Sequence, residues 1–231
     1  MVDRTADEAK ADNVAKMGKE LGEVYSALWQ ETTLLYQRWL VYRDLFGAKR
    51  ERVDLLNRAA PDFFRTVQDV LLESIVLHIA RMVDRHETFG NKSKSNLSLQ
   101  TISQLVADPA VQSAVDEAVR HAEIARDWRN RLLAHKDLAV ALESAGAKPV
   151  PPLDLATLRK AVDSIAAVVN AVAHLHLDSE TAFDHFIEGL GGVPSLLEVL
   201  DDGVRAKDER MRRFKEGIFT TEDATLRRRD L

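Results

Sequence analysis

Cysteine is absent from this 231-residue sequence, and its absence excludes several kinds of site. A disulfide framework, a thiolate nucleophile and a cysteine-ligated zinc or iron–sulfur centre all need that residue. Long apolar runs are absent as well: no segment reaches the roughly 18 apolar residues that span a membrane. Segment 1–20 is charged and lacks the apolar centre of a signal peptide. We therefore expect a cytoplasmic protein with no membrane segment.

Proline, glycine and strand-like patterns are scarce. The chain has only 6 prolines and 10 glycines, and no segment alternates apolar and polar residues with the period of a strand. Alanine, leucine, glutamate and arginine are abundant, as is typical of helices. The composition predicts an all-α fold, an up-down helical bundle of about five main helices over residues 1–200. A charged C-terminal tail, residues 201–231, would follow as a solvated helix or a disordered segment.

The charge balance is slightly acidic. Lysine and arginine number 32 against 37 aspartates and glutamates, which gives a net charge of −5. Such a chain is not a general binder of nucleic acid, so a role of that kind would need a local cluster of cations. Segment 204–231 is locally basic, with nine lysines and arginines against six acidic residues.

Apolar periodicity and capping residues place the helices. We predict helices over 7–46, 61–86, 98–107, 108–137 and 154–188. Aromatic residues in the first of these have helical spacings and are expected in the core. The second is apolar on nearly every side, which is typical of a central helix. Asp108 before Pro109, and Asp154, should cap the last two. In the last helix a heptad seam is formed by Leu155, Leu158, Val162, Ile165, Val169 and Val172.

Helix 61–86 carries polar residues within its apolar body. We expect His78 to be a hydrogen-bonded core histidine. Arg81 and Asp84 are three residues apart and should pair with each other, or alternatively support a neighbouring helix across the core. Three further histidines lack the spacing of metal ligands and are expected on polar faces or interfaces: His174, His176 and His185. We therefore expect neither a metal nor a cofactor.

Chemistry-bearing residues concentrate in segment 126–137. The apolar phase that starts at Val111 places Arg129 on the packed face, where a leucine would be expected. A guanidinium there needs a carboxylate, a phosphate or a wet interface. Arg129 and His135 are about 240° and about 9 Å apart on an ideal helix. They could meet at one atom if the helix bends, or if two chains share a cleft across a two-fold axis.

The same segment also allows a purely structural interpretation. Its arginines could be solvated and paired with Asp127 and Asp137, in surface ion pairs that contribute little. His135 could cap the C-terminal end of the helix, where a positive charge is favoured. Spacing alone does not decide between this interpretation and a catalytic one.

Arg129, Asn130 and His135 match a known pattern. Their order, an arginine, a polar residue, four residues and a histidine, resembles the motif of the HEPN superfamily of nucleotide-binding helical domains. The surrounding letters, Arg-Asn-Arg-Leu-Leu-Ala-His-Lys-Asp, look most like the AbiU-type branch from phage abortive-infection systems. Two upstream segments also resemble this branch, Ala-Arg-Met-Val-Asp at 80–84 and Leu-Ser-Leu at 97–99.

The resemblance implies a HEPN-like bundle that acts as a metal-independent endoribonuclease, the toxin or effector of a phage-defence or toxin–antitoxin system. His135 would be the general acid or base, Arg129 would hold the scissile phosphate, and Asn130 would orient either group. Arg126 and Arg131 would be accessory phosphate contacts. The implied partners are an RNA substrate, a second copy with the motif helices at the homodimer interface, and an antitoxin or other product of a neighbouring gene.

The resemblance covers about residues 20–190, and the C-terminal tail lies outside it.

An alternative function, binding without catalysis, is that of a catalytically inactive HEPN-like dimer that binds nucleotide, RNA or a partner protein. The net charge of −5, without a visible basic face, favours this alternative mildly. A third hypothesis is a purely structural helical partner that docks through its basic tail.

Overall fold

The computed structural model describes residues 5–85, 87–88, 94–133, 151–185 and 191–220. These residues are predominantly α-helical, so the predicted all-α class is confirmed. A two-residue antiparallel ladder accompanies the helices and pairs Glu87 with Ser95 and Thr88 with Lys94. Over these ranges, no helix combines the length and the apolar character that crossing a membrane requires.

Helices account for most of the described residues. In chain order they are α1 (Ala6–Met17), α2 (Lys19–Tyr42), α3 (Arg50–Ala59), α4 (Pro61–Met82), α5 (Leu99–Leu105), α6 (Pro109–His121), α7 (Glu123–Trp128), α8 (Leu155–Leu177) and α9 (Val193–Lys215). A π-helical turn follows α2 at Arg43–Gly47, and another follows α7 at Arg129–Leu133. The two-residue strands β1 (Glu87–Thr88) and β2 (Lys94–Ser95) lie between α4 and α5.

Backbone contacts divide the chain into two compact units. The first comprises Met1–Arg43 and Asp69–Phe186, and the second comprises Asp44–Gln68 and Ile187–Leu231. Residue 200, where we expected a domain to give way to a tail, lies inside α9. The basic segment is therefore helical up to Lys215. The last residues of the expected tail, 221–231, lie outside the described ranges.

The core of the first unit forms where α8 packs along α6 and α2. The predicted heptad seam of α8 is buried from Leu158 onward, whereas its first member, Leu155, is 36% exposed. Four of the five aromatic residues expected in the core of α2 are buried: Tyr25, Tyr36, Trp39 and Tyr42. The fifth, Trp29, is half-buried and donates from Nε1 to Thr181 Oγ1 at 3.0 Å. Apolar periodicity alone was sufficient to find both surfaces, because each repeats along a single helix.

The N-terminal helix is broken where one continuous helix over 7–46 was predicted. Gly18 adopts a φ of +82°, a left-handed conformation that ends α1 and begins α2. α1 then packs back onto α2 so closely that a Cβ at Gly22 would lie 2.5 Å from the Cα of Val14. Asn13 Nδ2 donates to Ser26 Oγ across the same contact, at 3.0 Å. The prediction was wrong here because a helix interior tolerates a single glycine at a modest cost, so Gly18 alone did not indicate a break.

Two further helices end earlier than predicted. α4 stops at Met82 instead of residue 86, and Val70 and Leu77 are 58% and 43% exposed, so this helix is not buried on every side. α8 stops at Leu177 instead of residue 188, because Asp178 adopts a left-handed φ of 49°.

The predicted helix over 108–137 is bent at Ala122 and continues as α7. Its predicted cap is confirmed: Asp108 accepts hydrogen bonds from the backbone N–H groups of Ala110 and Val111. Asp154 likewise caps α8 by accepting from Thr157 N at 2.6 Å. Residues 134–150, which include the end of the predicted helix, lie outside the described ranges.

The second unit has a small core of its own. Four buried apolar side chains form it: Leu45, Leu56, Phe64 and Val193. Arg58 of α3 and Asp208 of α9 pair at 2.5 Å beside this core. α3, which supplies Leu56, was not predicted from the sequence, since five of its ten residues are charged.

Candidate functional site

Arg129 lies on the packed face of its helix, as the apolar phase predicts. The residues that precede it on this face are at most 3% exposed: Val115, Ala118, Ala122 and Ala125. The Arg129 side chain is 21% exposed, and its Nη1 donates to Asp84 Oδ2 at 2.5 Å. Its Nε donates to Asn130 Oδ1 at 3.0 Å. We expected a carboxylate, a phosphate or a wet interface as the partner of Arg129, and in the structure the partner is the carboxylate of Asp84.

The turn that follows α4 holds Asp84 in place. Met82 and Val83 are almost completely buried, and Asp84 N donates to Arg81 O at 3.3 Å. Gln100 of α5 donates from Nε2 to Val83 O at 3.0 Å, which ties the turn to the next helix. Two buried side chains and two backbone contacts therefore fix the position of the carboxylate that orients the arginine.

The predicted pair between Arg81 and Asp84 does not form. Arg81 pairs with Glu31 of α2, and Asp84 pairs with Arg129. The alternative expectation, in which this part of α4 supports the motif helix, is confirmed for Asp84. The two side chains leave the C-terminal end of α4 in different directions, so each forms an ion pair with a different neighbour.

Arg129 begins a π-helical turn that runs to Leu133. In such a turn the hydrogen bonds join residues five apart, so the azimuths of an ideal α-helix no longer apply to the residues that follow. A bend was one of the two ways in which we expected Arg129 and His135 to meet, and the π-helical turn is a local change of helix geometry at the start of the motif. His135, the predicted acid or base, lies outside the described residues, and its role stays a prediction.

Arg129 also lines an open cavity of about 510 Å³ within the first unit. The other lining residues come from α2 and α4 and include four further ionisable residues and two exposed apolar ones: Arg38, Val70, Glu73, Ser74, Leu77, His78 and Arg81. Three guanidinium groups therefore face one space, accompanied by a single carboxylate, that of Glu73. A cavity of this volume is within the range that holds small ligands.

His78 lines the cavity and is buried and neutral. It is 3% exposed; its Nδ1 lies 2.8 Å from Arg38 Nη1, and its Nε2 lies 2.9 Å from Glu31 Oε2. Burial lowers the pKa of His78 to about 4, helped by the positive charges of Arg81 and Arg38 and opposed by Glu31. Because a guanidinium can only donate, Nδ1 is the acceptor and Nε2 carries the proton. Nε2 is close to Glu31 but makes no hydrogen bond of good geometry among the described residues. The expectation of a core histidine is confirmed.

The predicted accessory residues have different environments. Arg131 pairs with Asp127 of its own helix at 3.3 Å, as the structural interpretation suggested for this segment. Arg126 has a buried Nε without a hydrogen-bond partner among the residues that the structure describes. Asn130 is exposed apart from its contact with Arg129. Within the same ranges, neither Arg126 nor Arg131 lines the Arg129 cavity.

The C-terminal histidines have polar surroundings. His174 Nε2 lies 3.8 Å from Glu180, and His185 Nδ1 lies 2.7 Å from Asp184, in largely exposed pairs that fit the predicted polar faces. His176 differs from the prediction: it is partly buried, and its Nε2 has no hydrogen-bond partner among the described residues. The described part of the chain contains no group of three side chains that could hold a metal ion.

Arg38 and Glu31 are the site residues that sequence reasoning missed. Arg38 falls between the buried residues Leu35 and Tyr42 at spacings of three and four, and it interrupts an apolar phase just as Arg129 does. Glu31 lies seven residues before Arg38 and so shares its face of α2. A charged residue at an apolar position of the helix pattern singled out Arg129, and the same pattern occurs at Arg38. Arg38 was missed because the aromatic residues of α2 were the more obvious feature of that segment.

A comparison with family models supplies the identification. The model of HEPN family AbiU2 matches residues 18–192 of this chain. The chain belongs to the AbiU2 family of HEPN domains. Neither a curated protein nor a solved structure matches it. The match includes the Arg129 cavity and the motif, and it ends just before α9, so the expected resemblance to the AbiU-type branch is confirmed.

Proposed function

We propose that this AbiU2-family protein is a metal-independent endoribonuclease, the effector of a phage-defence or toxin–antitoxin system. Its active site would be composite and lie at a homodimer interface. The observation that carries the proposal is Arg129, a guanidinium held by Asp84 at 2.5 Å on the wall of an open cavity. The motif that begins with this arginine supplies His135 as the second group.

Arg129 is suited to hold a phosphate. A guanidinium has five N–H donors, and its contacts with Asp84 and Asn130 use one on Nη1 and the one on Nε. The remaining donors suit the non-bridging oxygens of a scissile phosphate, whose negative charge increases in the transition state. Because the side chain is already oriented by a carboxylate, little reorganisation is needed when substrate binds.

The proposed reaction needs one base and one acid. The 2′-oxygen of RNA attacks the adjacent phosphorus while the P–O5′ bond breaks. A neutral His135 takes the proton from the 2′-hydroxyl, and a protonated His135 from the second copy gives a proton to the leaving 5′-oxygen. The products are a 2′,3′-cyclic phosphate and a 5′-hydroxyl end. Two copies are required in this scheme because one imidazole cannot be base and acid in the same step.

The test is cleavage of an RNA pool in EDTA by the purified full chain and three variants. Arg129→Ala and His135→Ala should each lower the rate at least about 100-fold, because each removes a group that acts in the transition state. Arg120→Ala, which removes an exposed arginine of α6, is the matched control and should cleave normally. Circular dichroism would show that all variants fold. Full activity in either motif variant would overturn the proposal.

The second candidate function is the catalytically inactive HEPN-like dimer. The observation in its favour is the net charge of −5, which is unusual for a protein that tracks RNA. RNA or nucleotide binding by the wild-type chain without cleavage under any condition would support this candidate in place of the nuclease.

A further inference from the structure

The cavity beside Arg129 contains more arginines than one scissile phosphate requires. Arg38 comes from α2 and Arg81 from α4, and both line the same space as Arg129. The proposed chemistry assigns no role to either arginine, so their presence on this wall needs a separate explanation.

A polar network fixes both additional arginines. Arg38 donates to His78, His78 contacts Glu31, and Glu31 pairs with Arg81. The central member, His78, is 3% exposed and cannot move without disturbing the core. The network therefore links α2 to α4 and holds both guanidinium groups at the cavity wall.

Among the described residues, Arg38 has no carboxylate partner. Arg129 and Arg81 each pair with a carboxylate, from Asp84 and Glu31 respectively, whereas Arg38 donates to the imidazole of His78. The cavity wall carries three arginines and Glu73. Counted together with Asp84 and Glu31, these charges balance, and Arg38 is the guanidinium that can bind an anion without first giving up a carboxylate.

Apolar surface borders these charges. Val70 and Leu77 line the same cavity and are 58% and 43% exposed. A space of about 510 Å³ with cations on one part of its wall and apolar side chains on another fits a nucleotide, which joins an anionic phosphate to a base with an apolar face.

We propose that Arg38 and Arg81 bind a second RNA phosphate next to the one that Arg129 holds, with the attached nucleotide against Val70 and Leu77. His78 and Glu31 act as positioning residues for the two arginines. This subsite rests on the proposed ribonuclease function and names residues that bind its substrate. It supplies the local cluster of cations that an acidic chain needs to bind RNA.

The test is binding of a 2′-O-methylated single-stranded oligonucleotide, which cannot be cleaved, measured by fluorescence anisotropy at several salt concentrations. Arg38→Gln and Arg81→Gln should each raise the Kd about tenfold, and the double variant should reduce the salt slope by about 0.7, the value expected for one lost phosphate contact. Arg120→Gln, the exposed control on α6, should change neither quantity. A fold defect alone would not produce the specific loss of salt slope.

A second pair of variants leaves the polar network intact. Leu77→Glu should weaken binding because it adds a negative charge to the cavity, whereas Leu77→Lys should preserve or strengthen it. If these two variants bind alike, or if both arginine variants keep the wild-type Kd and salt slope, the subsite is overturned even when the chain cleaves RNA. Binding that depends on Arg38 in a chain that never cleaves would instead overturn the nuclease and keep the subsite.

Discussion

At the scale of single residues, the contact between Asp84 and Arg129 is the feature most open to test. Asp84→Asn preserves the shape of the side chain and removes the charge that orients the guanidinium. We expect kcat for RNA cleavage to fall about tenfold, since a small misplacement of a catalytic group is costly. The pair is partly exposed, so the melting temperature should change little.

Asp127→Asn is the matched control for this prediction, because Asp127 pairs with Arg131 on the same helix. It should leave kcat near that of the wild type. Equal losses of kcat in the two variants would show that the effect comes from general disturbance of the helix, and would contradict a positioning role for Asp84.

His78 makes the stability of the protein depend on pH. The unfolded chain protonates this residue near its ordinary pKa of 6.5, whereas the folded protein does so only near a pKa of about 4. The folded state therefore binds fewer protons between these values, and its stability falls as pH decreases from 6.5 to 4. The contribution of His78 is at most about 1.4 kcal/mol per pH unit.

Urea unfolding at several pH values measures this contribution. His78→Gln removes the titrating imidazole but keeps a donor and an acceptor near Arg38 and Glu31. Its free energy of unfolding should depend less steeply on pH between 4 and 6.5 than that of the wild type. Parallel pH profiles for the two proteins would contradict the neutral, buried state of His78.

The position of Arg129 could be predicted from the sequence because it interrupts a regular apolar phase along one helix. Its partner could not, since Asp84 lies 45 positions away and the choice between Arg81 and Arg129 depends on how the turn after α4 is held. Arg38 and His78 contact each other across 40 positions, between two helices. Spacing within one helix has no information about such contacts.

At the scale of helices, the close approach of α1 to α2 depends on Gly22. A Cβ at this position would lie 2.5 Å from Val14 Cα, and α1 has no fully buried side chain to compensate for a displacement. Gly22→Ala should therefore cost about 1–3 kcal/mol and release α1. Amide hydrogen exchange should become faster over Ala6–Met17, while α8 stays protected.

The same substitution at Gly203, Gly203→Ala, should raise the stability of the protein instead of lowering it. Gly203 lies inside α9, and a Cβ added there would meet no neighbouring atom of the described residues within 4 Å. Alanine should therefore stabilise the helix by about 0.5–1 kcal/mol. Gly203→Ala is thus the control for Gly22→Ala. If Gly22→Ala left amide hydrogen exchange over α1 unchanged, the close packing of α1 against α2 would be contradicted.

Helix centres and capped N-termini could be predicted here more accurately than helix breaks and C-terminal ends. The seam of α8 and the caps at Asp108 and Asp154 are local signals, and all were confirmed apart from the exposed first residue of the seam. The breaks at Gly18 and Asp178 require left-handed backbone that other parts of the fold stabilise. Composition around those residues is compatible with a continuing helix.

At the scale of the whole molecule, the family and the all-α class followed from a short motif and from composition. The division into two compact units did not, because it depends on contacts between α3 and α9, which lie far apart in sequence. The proposed composite site also belongs to this scale, since it requires a second copy of the chain.

Subunit mixing tests the composite site. Wild-type protein should lose activity when excess His135→Ala chain is added and the subunits are allowed to exchange. At a ninefold excess, few wild-type chains keep a wild-type partner, so activity should fall about tenfold if each site needs both copies. Arg120→Ala chain is the control and should cause no loss. Constant activity on mixing would contradict a shared site.

The chemistry of the cut ends decides whether the protein is a metal-independent ribonuclease that uses His135. A short RNA is incubated with the full chain in EDTA, and the masses of the fragments are determined, with His135→Ala in parallel. Our account predicts 2′,3′-cyclic phosphate and 5′-hydroxyl ends that form without metal and disappear in the variant. Fragments with 5′-phosphate ends, or cleavage that persists in His135→Ala, would contradict it.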